Sequence, residues 1–542
     1  MSRLDRFIHA VAPGFALKRE KARTEIVRQQ AVQQVLNQGY GDHGASRRKK
    51  SLTAWNPVAG DAEEDIHENL ETLRPRARDL YMGGSLANGS IKTLRTNIVG
   101  TGLRLKPSID ADFLRLSDDQ AGELKRQIER EFALWAESKN CDAGGMHNFY
   151  ELQQLAFLSW MMSGDAFVLL PMLPRKHATY DLRVRILEAD RCSNPLAPEL
   201  SVSNKISNGV EVDKDGMVVA YWFSDKHPGS ALGQPMKWTR VEAIGEESGR
   251  RNVLHLMEAE RPEQRRGVPI LAPVIESLKQ LERYTEAELM AAVISGMFTV
   301  FIETPTEDTD QFGLSADGPD IHENPTGEPL PSEGNDLRMG NGAVQFLEPG
   351  EKATIANPGR PNSEFDPFVT AILRQVGASL EIPYELLLKH FTASYSASRA
   401  ALLEAWKMFR MRRAWMSADF CQPTYEEWFA EAVIKGRIDA PGIFDDPLLF
   451  KAYTRAEWHG PSQGQLDPVK EVNAAVIRVE HGYSTAERET AELTGGEWEN
   501  NVRQRAREKA LLDKYGLSQQ VAPTRGGDKQ NADNDEEDDS DI

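Results

Sequence analysis

Cysteine is nearly absent: 542 residues carry three, at positions 141, 192 and 421. That excludes a scaffold stapled by disulfides. No C-x-x-C pair occurs. His147 near Cys141 supplies two donors, where a zinc site takes roughly three or four protein ligands. Free thiols of a reducing cytoplasm fit these cysteines.

Long apolar runs are missing too. Leu289 to Ile302 is the most apolar stretch, at 14 residues. A bilayer span needs roughly 20. Arg3, Asp5, Arg6 and Lys18 break up the N-terminal apolar residues, so no signal-peptide core is expected. The expectation is a soluble protein with no membrane role.

Cations are the minority charge: 64 Lys and Arg against 83 Asp and Glu, for a net charge of -19. Such a balance argues against a protein that coats DNA with a basic face. Hydrophobic residues still make up 40%, enough for ordinary cores, so wholesale disorder is excluded. The length suggests about three or four domains.

Catalytic signatures are also lacking. No Gly-Lys pair exists, hence no P-loop. His67-Glu68 and His322-Glu323 lack the second histidine of a zincin helix. No Rossmann glycine fingerprint is present. Gly460-Pro461-Ser462-Gln463-Gly464 matches G-x-S-x-G formally. A nucleophile elbow needs a strand before the serine, whereas YTRAEWH reads as helix or loop and Pro461 sits inside the motif. The residues therefore nominate no catalytic group, cofactor or metal site. A cryptic hydrolase at 460–464 stands only as the alternative function.

What is present reads as α+β. Residues 1–50 are basic, either a solvated flexible arm or a contact for nucleic acid or an acidic partner. From Asp61, Leu70, Leu73, Ala77 and Leu80 recur at helical spacing. Glycines 83, 84 and 89 interrupt that pattern, and Ile91, Leu94 and Ile98 resume it. Gly100 and Gly102 bracket a turn into a short strand at Leu103 and Leu105. Residues 117–138 form an amphipathic helix with Leu124, Ile128, Phe132 and Trp135 on one face. Residues 165–260 are mostly β, with a hairpin over Val212 to Val219.

A long helix runs from about Pro269 to Gly296 and passes into the strand MFTVFIET. Residues 304–342 are an exposed acidic loop, and GAVQFLEPGEKATIA returns as a hairpin around Pro349-Gly350. A second helix covers Asp366 to Leu380. A Ser/Thr-rich loop follows from His390 to Ser398, where Ser394 or Ser396 caps the next helix. That helix carries Leu403, Trp406 and Phe409 on one side, and Pro423 kinks it. Tyr425, Trp428 and Phe429 have the spacing of core residues. Residues 441–516 read as helical, and the last fifteen hold eight acids and one lysine, a disordered tail.

Five segments, in this order, resemble the lambda-like portal proteins of tailed bacteriophages. They are Trp55-Asn56-Pro57 with LRPRARDLYMGGSLANGSIKTLRTNIVGTGLRL; SGDAFVLL with LRVRILEADRCSNP; NGVEVDKDGMVVAYWF; VLHLMEAERPEQRRGVPILAPVIESLKQLERYTEAELMAA; and FLEPGEKATIANPGRPNSEFDPFVTAILRQVGASLEIPYELL with SYSASRAALLEAWKMFRMRR. The resemblance runs over roughly residues 50–500.

It implies a portal fold assembled as a homo-oligomeric ring, usually of twelve subunits, around an axial channel for double-stranded DNA at one capsid vertex. The implied partners are the terminase large subunit, head-completion and adaptor proteins, the major capsid protein and scaffold. The implied location is the virion, with assembly in the host cytoplasm. On that pattern, 1–50 is an arm and 51–268 a wing, β-rich over 103–260. Residues 269–297 and 363–388 are stem helices, with a clip at 298–362 between them. Residues 389–398 are a tunnel loop, 399–440 a kinked wing helix, 441–516 a crown and 517–542 an acidic tail. The implied channel contacts are Lys389, His390, Phe391, Thr392, Ser394, Tyr395 and Ser396. The bland alternative is a loop that only joins two helices. Family members often carry an acidic residue at the loop's start, where this chain has Lys389-His390. The acidic stretch 304–342 is the expected docking surface. A net charge of -19 suits a conduit through which DNA slides, because dense cationic contacts would hold phosphates tightly.

Overall fold

The computed structural model describes residues 12–36, 45–46, 49–196, 204–230, 235–296, 300–302, 344–346, 364–391, 394–464 and 467–517. They divide into two units, 1–65 and 66–542. In the first unit, Pro13–Leu36 forms helix α1. The sequence reading expects a flexible arm there. The helix has its reason in composition: after Gly14 the segment holds no glycine or proline and is rich in Ala, Arg, Lys, Glu and Gln.

The second unit opens with α2 (Glu68–Gly83) and α3 (Ser85–Ile98), separated by Gly84. Gly89 lies inside α3 and does not interrupt it. Ile91, Leu94 and Ile98 are fully buried, as their spacing predicts. Gly102, at φ 108°, turns the chain into strand β1 (Arg104–Pro107), and a Cβ there would sit 2.4 Å from Tyr150 Cβ. Capping boxes at Ser117–Gln120 and Asn148–Glu151 start α4 (Asp118–Ala136) and α5 (Phe149–Ser163).

The β region forms two sheets. Strands β2 (Asp165–Leu169), β3 (Arg185–Leu187) and β8 (Val253–Met257) make one, in the order β3-β2-β8. Strands β4 (Lys205–Ser207), β5 (Val210–Val212), β6 (Val218–Ser224) and β7 (Trp238–Glu242) make an antiparallel meander. The expected hairpin is its β5–β6 connection. Phe167, Cys192, Val210, Tyr221 and Phe223 fill a small core that draws on both sheets.

Helix α6 (Ile275–Gly296) follows a 3₁₀ turn at Ala272–Val274. Strand β9 (Val300–Ile302) pairs in parallel with β10 (Val344–Phe346). The acidic stretch 304–342 and the Pro349-Gly350 hairpin lie outside the described residues. Helix α7 (Phe365–Ser379) packs along α6, with Tyr284 stacked on Phe365 at 5.5 Å and edge-on to Phe368 at 5.3 Å between centroids.

Helices α8 (Tyr384–Leu388), α9 (Tyr395–Met416) and α10 (Gln422–Ile434) come next. A π-turn at Ser417–Cys421 joins α9 to α10 just before Pro423. It widens the ladder where the proline supplies no N–H, in place of the expected simple kink. Then come α11 (Pro447–Thr454), strand β11 (Ala456–His459), α12 (Pro468–Glu480), α13 (Ala486–Thr494) and α14 (Trp498–Lys514). The strand corrects the reading of 441–516 as helical. It pairs antiparallel with β1, remote in sequence, so nothing local announces it.

The main core is aromatic. Phe132 meets Trp428 edge-on at 5.0 Å, Phe149 stacks on Phe420 at 5.4 Å, and Tyr425 and Phe429 join them fully buried. The 425–429 stripe is thus core, as its spacing indicates.

Candidate nucleic-acid interface

The segment nominated by sequence lies between α8 and α9. Helix α7 ends where Ile382 N–H donates back to Gly377 O at 2.9 Å, with Glu381 left-handed at φ 56°. Pro383 then sets the entry to α8, whose inward residue is Leu387. Lys389 ends α8, also left-handed at φ 55°, and His390 N–H donates to Glu385 O at 3.0 Å. The short α8 is therefore flanked by two non-glycine residues in a backbone region that costs about 1 kcal/mol each.

Lys389, His390, Phe391 and Ser394 are exposed. Phe391, at 49%, is a large apolar group in an exposed position. Thr392 lies outside the described residues. Ser394 Oγ accepts from Ala397 N–H at 3.4 Å and caps α9, so Ser394 and not Ser396 is the cap. Helix α9 therefore begins at Tyr395, earlier than the loop boundary of 398. Tyr395 and the exposed Ser396 occupy its first turn. The structure brings 389–391 and 394–396 to the two ends of one short connection.

The basic residues of α9 split by role. Arg412 is buried and bridges Glu381 Oε2 at 3.2 Å and Glu258 Oε2 at 3.5 Å. Arg413 donates to the carbonyls of Asn97, Ile98 and Pro461 at 2.9–3.0 Å. Burial, with repulsion from Arg410, lowers Arg413 to about 10. Lys407 and Arg410 face outward. Residue type alone does not separate these four cations. The missed signal was spacing: residues 405, 408, 409, 412 and 416 share the buried side. Leu403, expected on that side, is 46% exposed.

A cleft of about 1180 Å³ opens between α9, β11 and the α12–α13 pair, lined by Trp406, Arg410, Arg413, Trp458 and Ser462 among others. Arg399–Glu471 at 3.9 Å and Arg410–Glu492 at 3.8 Å bridge it, as does the Lys106–Glu487 contact. Strand β11 does precede Ser462, contrary to expectation. The rest of an elbow is missing: the next helix starts only at Pro468, and Ser462 is not left-handed. Among the described residues no hydrogen bond joins Ser462 to a histidine.

The cysteines are free and buried. Burial pushes the Cys141 and Cys192 thiols up to about 12, which makes them inert. No helix among the described residues is long and apolar enough to cross a membrane.

A family model described as phage portal protein, lambda family, matches residues 48–413. The chain is 26% identical over 488 residues to portal protein B of Escherichia phage lambda, covering 87% of this chain and 90% of the relative. It is 25% identical over 481 residues to the portal protein of Escherichia phage N15, covering 86% and 89%. It is 26% identical over 445 residues to a probable portal protein of Halomonas phage phiHAP-1, covering 80% of each. A chain from the neck of a native gene transfer agent particle overlaps 82% of this chain and 96% of its own, at TM-score 0.37 and 12% identity. The sequence matches, not that loose overlap, carry the assignment. They place the chain among the structural proteins of phage particles. It belongs to the lambda family of phage portal proteins.

Proposed function

We propose that this portal protein works as a ring, of twelve subunits on the family pattern, through which double-stranded DNA enters and leaves the capsid. In this reading α6 and α7 form the stem. The 389–396 segment lines the channel, and 304–342 docks the terminase large subunit and then the adaptor proteins.

The observation that carries it is the surface between α8 and α9. It offers one exposed ammonium, Lys389, with His390, Phe391 and the hydroxyls of Ser394 and Ser396 close in sequence. A single point charge per subunit attracts phosphate without clamping it, and hydroxyls add weak, rotatable hydrogen bonds. Phosphate contacts of this kind carry no sequence information, which suits a conduit for a whole genome. The cations of α9 are engaged elsewhere, Arg399, Lys407, Arg410 and Arg412 with glutamates and Arg413 with backbone carbonyls. The overall charge of -19 keeps the assembly from binding DNA broadly.

The test is deletion of residues 391–396 in a packaging assay with parallel electron microscopy of the rings. The expected result is intact rings with impaired packaging or retention of DNA. Normal packaging and retention would remove the segment from the channel function. Deletion of 304–342 tests docking separately, and unchanged terminase and adaptor binding would reject that part.

A further inference from the structure

Helices α12 and α14 each leave an apolar line without a partner within the described chain. At helical spacing, Val469, Val472, Val476 and Val479 of α12 fall on one side. Val469 is 71% exposed and Val476 48%, and Ala475 is the one buried residue of this helix. Glu480 stands at the end of the line, with no ion-pair partner among the described residues.

Helix α14 has no buried residue. Trp498, Val502 and Leu512 share one side of it, exposed by 42–44%. Arg505 and Lys509 lie between them at the same three–four spacing, and neither has an ion-pair partner among the described residues. Most helical stability in proteins comes from packing of one face, and this helix of 17 residues has no buried residue from which to draw it. Helix α13 packs against both helices and leaves these two lines open.

We propose that the α12 line of one copy packs against the α14 line of the next. The inference rests on the ring reading above and names the partner for this part of the chain. The two lines are unlike: one is all valine with an acidic end, and the other carries two cations. Unlike faces pair head to tail, and head-to-tail pairing repeats from copy to copy, closing into a ring where the rotation between copies allows it. Pairing of like with like stops at a dimer. Glu480 of one copy meets Arg505 or Lys509 of the next, and the aliphatic stems of those cations lie over the valines. The α12 line, about 17 Å from Val469 to Glu480, fits within the roughly 26 Å of α14.

The buried state of the native cysteines makes crosslinking a clean test. Val476→Cys is combined with Val502→Cys in one full-length variant, and with Leu512→Cys in another. Each is oxidised mildly and run on a non-reducing gel, with rings checked by electron microscopy. The expected result is a ladder of linked multimers from at least one pair, and none from any single variant. Rings without a ladder from either pair overturn the contact while leaving the ring reading intact. Linked dimers from Val476→Cys alone overturn it in favour of like-with-like pairing. Absence of rings in the parent protein overturns both.

Discussion

Arg266 Nε donates to Asp165 Oδ2 at 2.7 Å, in a site closed to solvent on both sides of the pair. Arg74 Nη2 reaches the other oxygen at 3.1 Å, and Gly267 N–H adds a further bond at 3.1 Å. The rest of the Arg266 fork serves the carbonyls of Ala189, Cys192 and Asn208. One carboxylate thereby ties α2, β2 and the run into α6.

Removing either partner leaves a buried charge unpaired. Asp165→Asn should cost about 3–5 kcal/mol, read as a shift of the urea midpoint. Arg266→Lys should cost nearly as much, since an ammonium cannot serve the carboxylate and three carbonyls together. The two guanidinium groups hold the Asp165 carboxyl far below its usual range despite burial. A depressed carboxylate contributes stability above its unfolded value, lost only as pH falls through the folded value. The Asp165→Asn penalty should therefore be present at both pH 5 and pH 8, with any difference between the two set by His255, whose Nε2 lies 3.4 Å from Asp165 Oδ2; a penalty present at only one pH would contradict the assigned charge state.

Much of this architecture was legible in the sequence. The two helices within 68–98 and those over 118–136 and 275–296 follow from apolar spacing, and the helix over 365–379 is expected at 366–380. The β5–β6 hairpin follows from its Asp-Gly turn. What escaped was nonlocal. Strand β11 exists because β1 is beside it, and the π-turn at 417–421 because Pro423 follows. Arg412 is buried beside Glu258 and Glu381, both distant from it in sequence. Of the nominated channel residues, the resemblance puts Lys389 and His390 at the start of the tunnel loop, just past the second stem helix. It could not show that Lys389 takes a left-handed backbone, since lysine does not advertise one.

Two glycines should respond oppositely to alanine. A Cβ at Gly267 would lie 1.9 Å from Gly164 O, a backbone atom that cannot swing away. Gly267→Ala should cost about 3 kcal/mol, at the upper end for overpacking. Gly89 sits inside α3 with nothing within 4 Å of a new Cβ. Gly89→Ala should stabilise by about 0.5–1 kcal/mol. Thermal unfolding of both variants checks the pair.

Glu129 on α4 should give the fold a pH dependence near neutrality. Partial burial, with repulsion from Glu497 and Glu499, raises its carboxyl to about 7, against the pull of Lys106 and Arg503. Its unfolded value is 4.5. Between these values the folded state binds more protons, so stability falls as pH rises through that window and levels off above it. Glu129→Gln should flatten the slope and stabilise by roughly 1 kcal/mol at pH 8, after allowance for solvent screening of a partly exposed group. Unfolding midpoints at pH 5, 6, 7 and 8 decide it; an unchanged slope would show that another group titrates there.

Lys389 allows charge to be separated from geometry. Its left-handed backbone, at φ 55°, is one that glycine adopts freely. Lys389→Gly should keep the turn between α8 and α9 and raise stability by about 0.5–1 kcal/mol while deleting the ammonium. If that ammonium meets phosphate in the channel, rings of the glycine variant should hold DNA less well, with a shallower dependence on salt. Lys389→Glu should weaken retention further, through repulsion of the phosphates. Lys389→Arg should restore salt-sensitive retention despite keeping the backbone strain. Retention that tracks thermal stability, and not charge, across these three variants would show that Lys389 matters only as the end of α8.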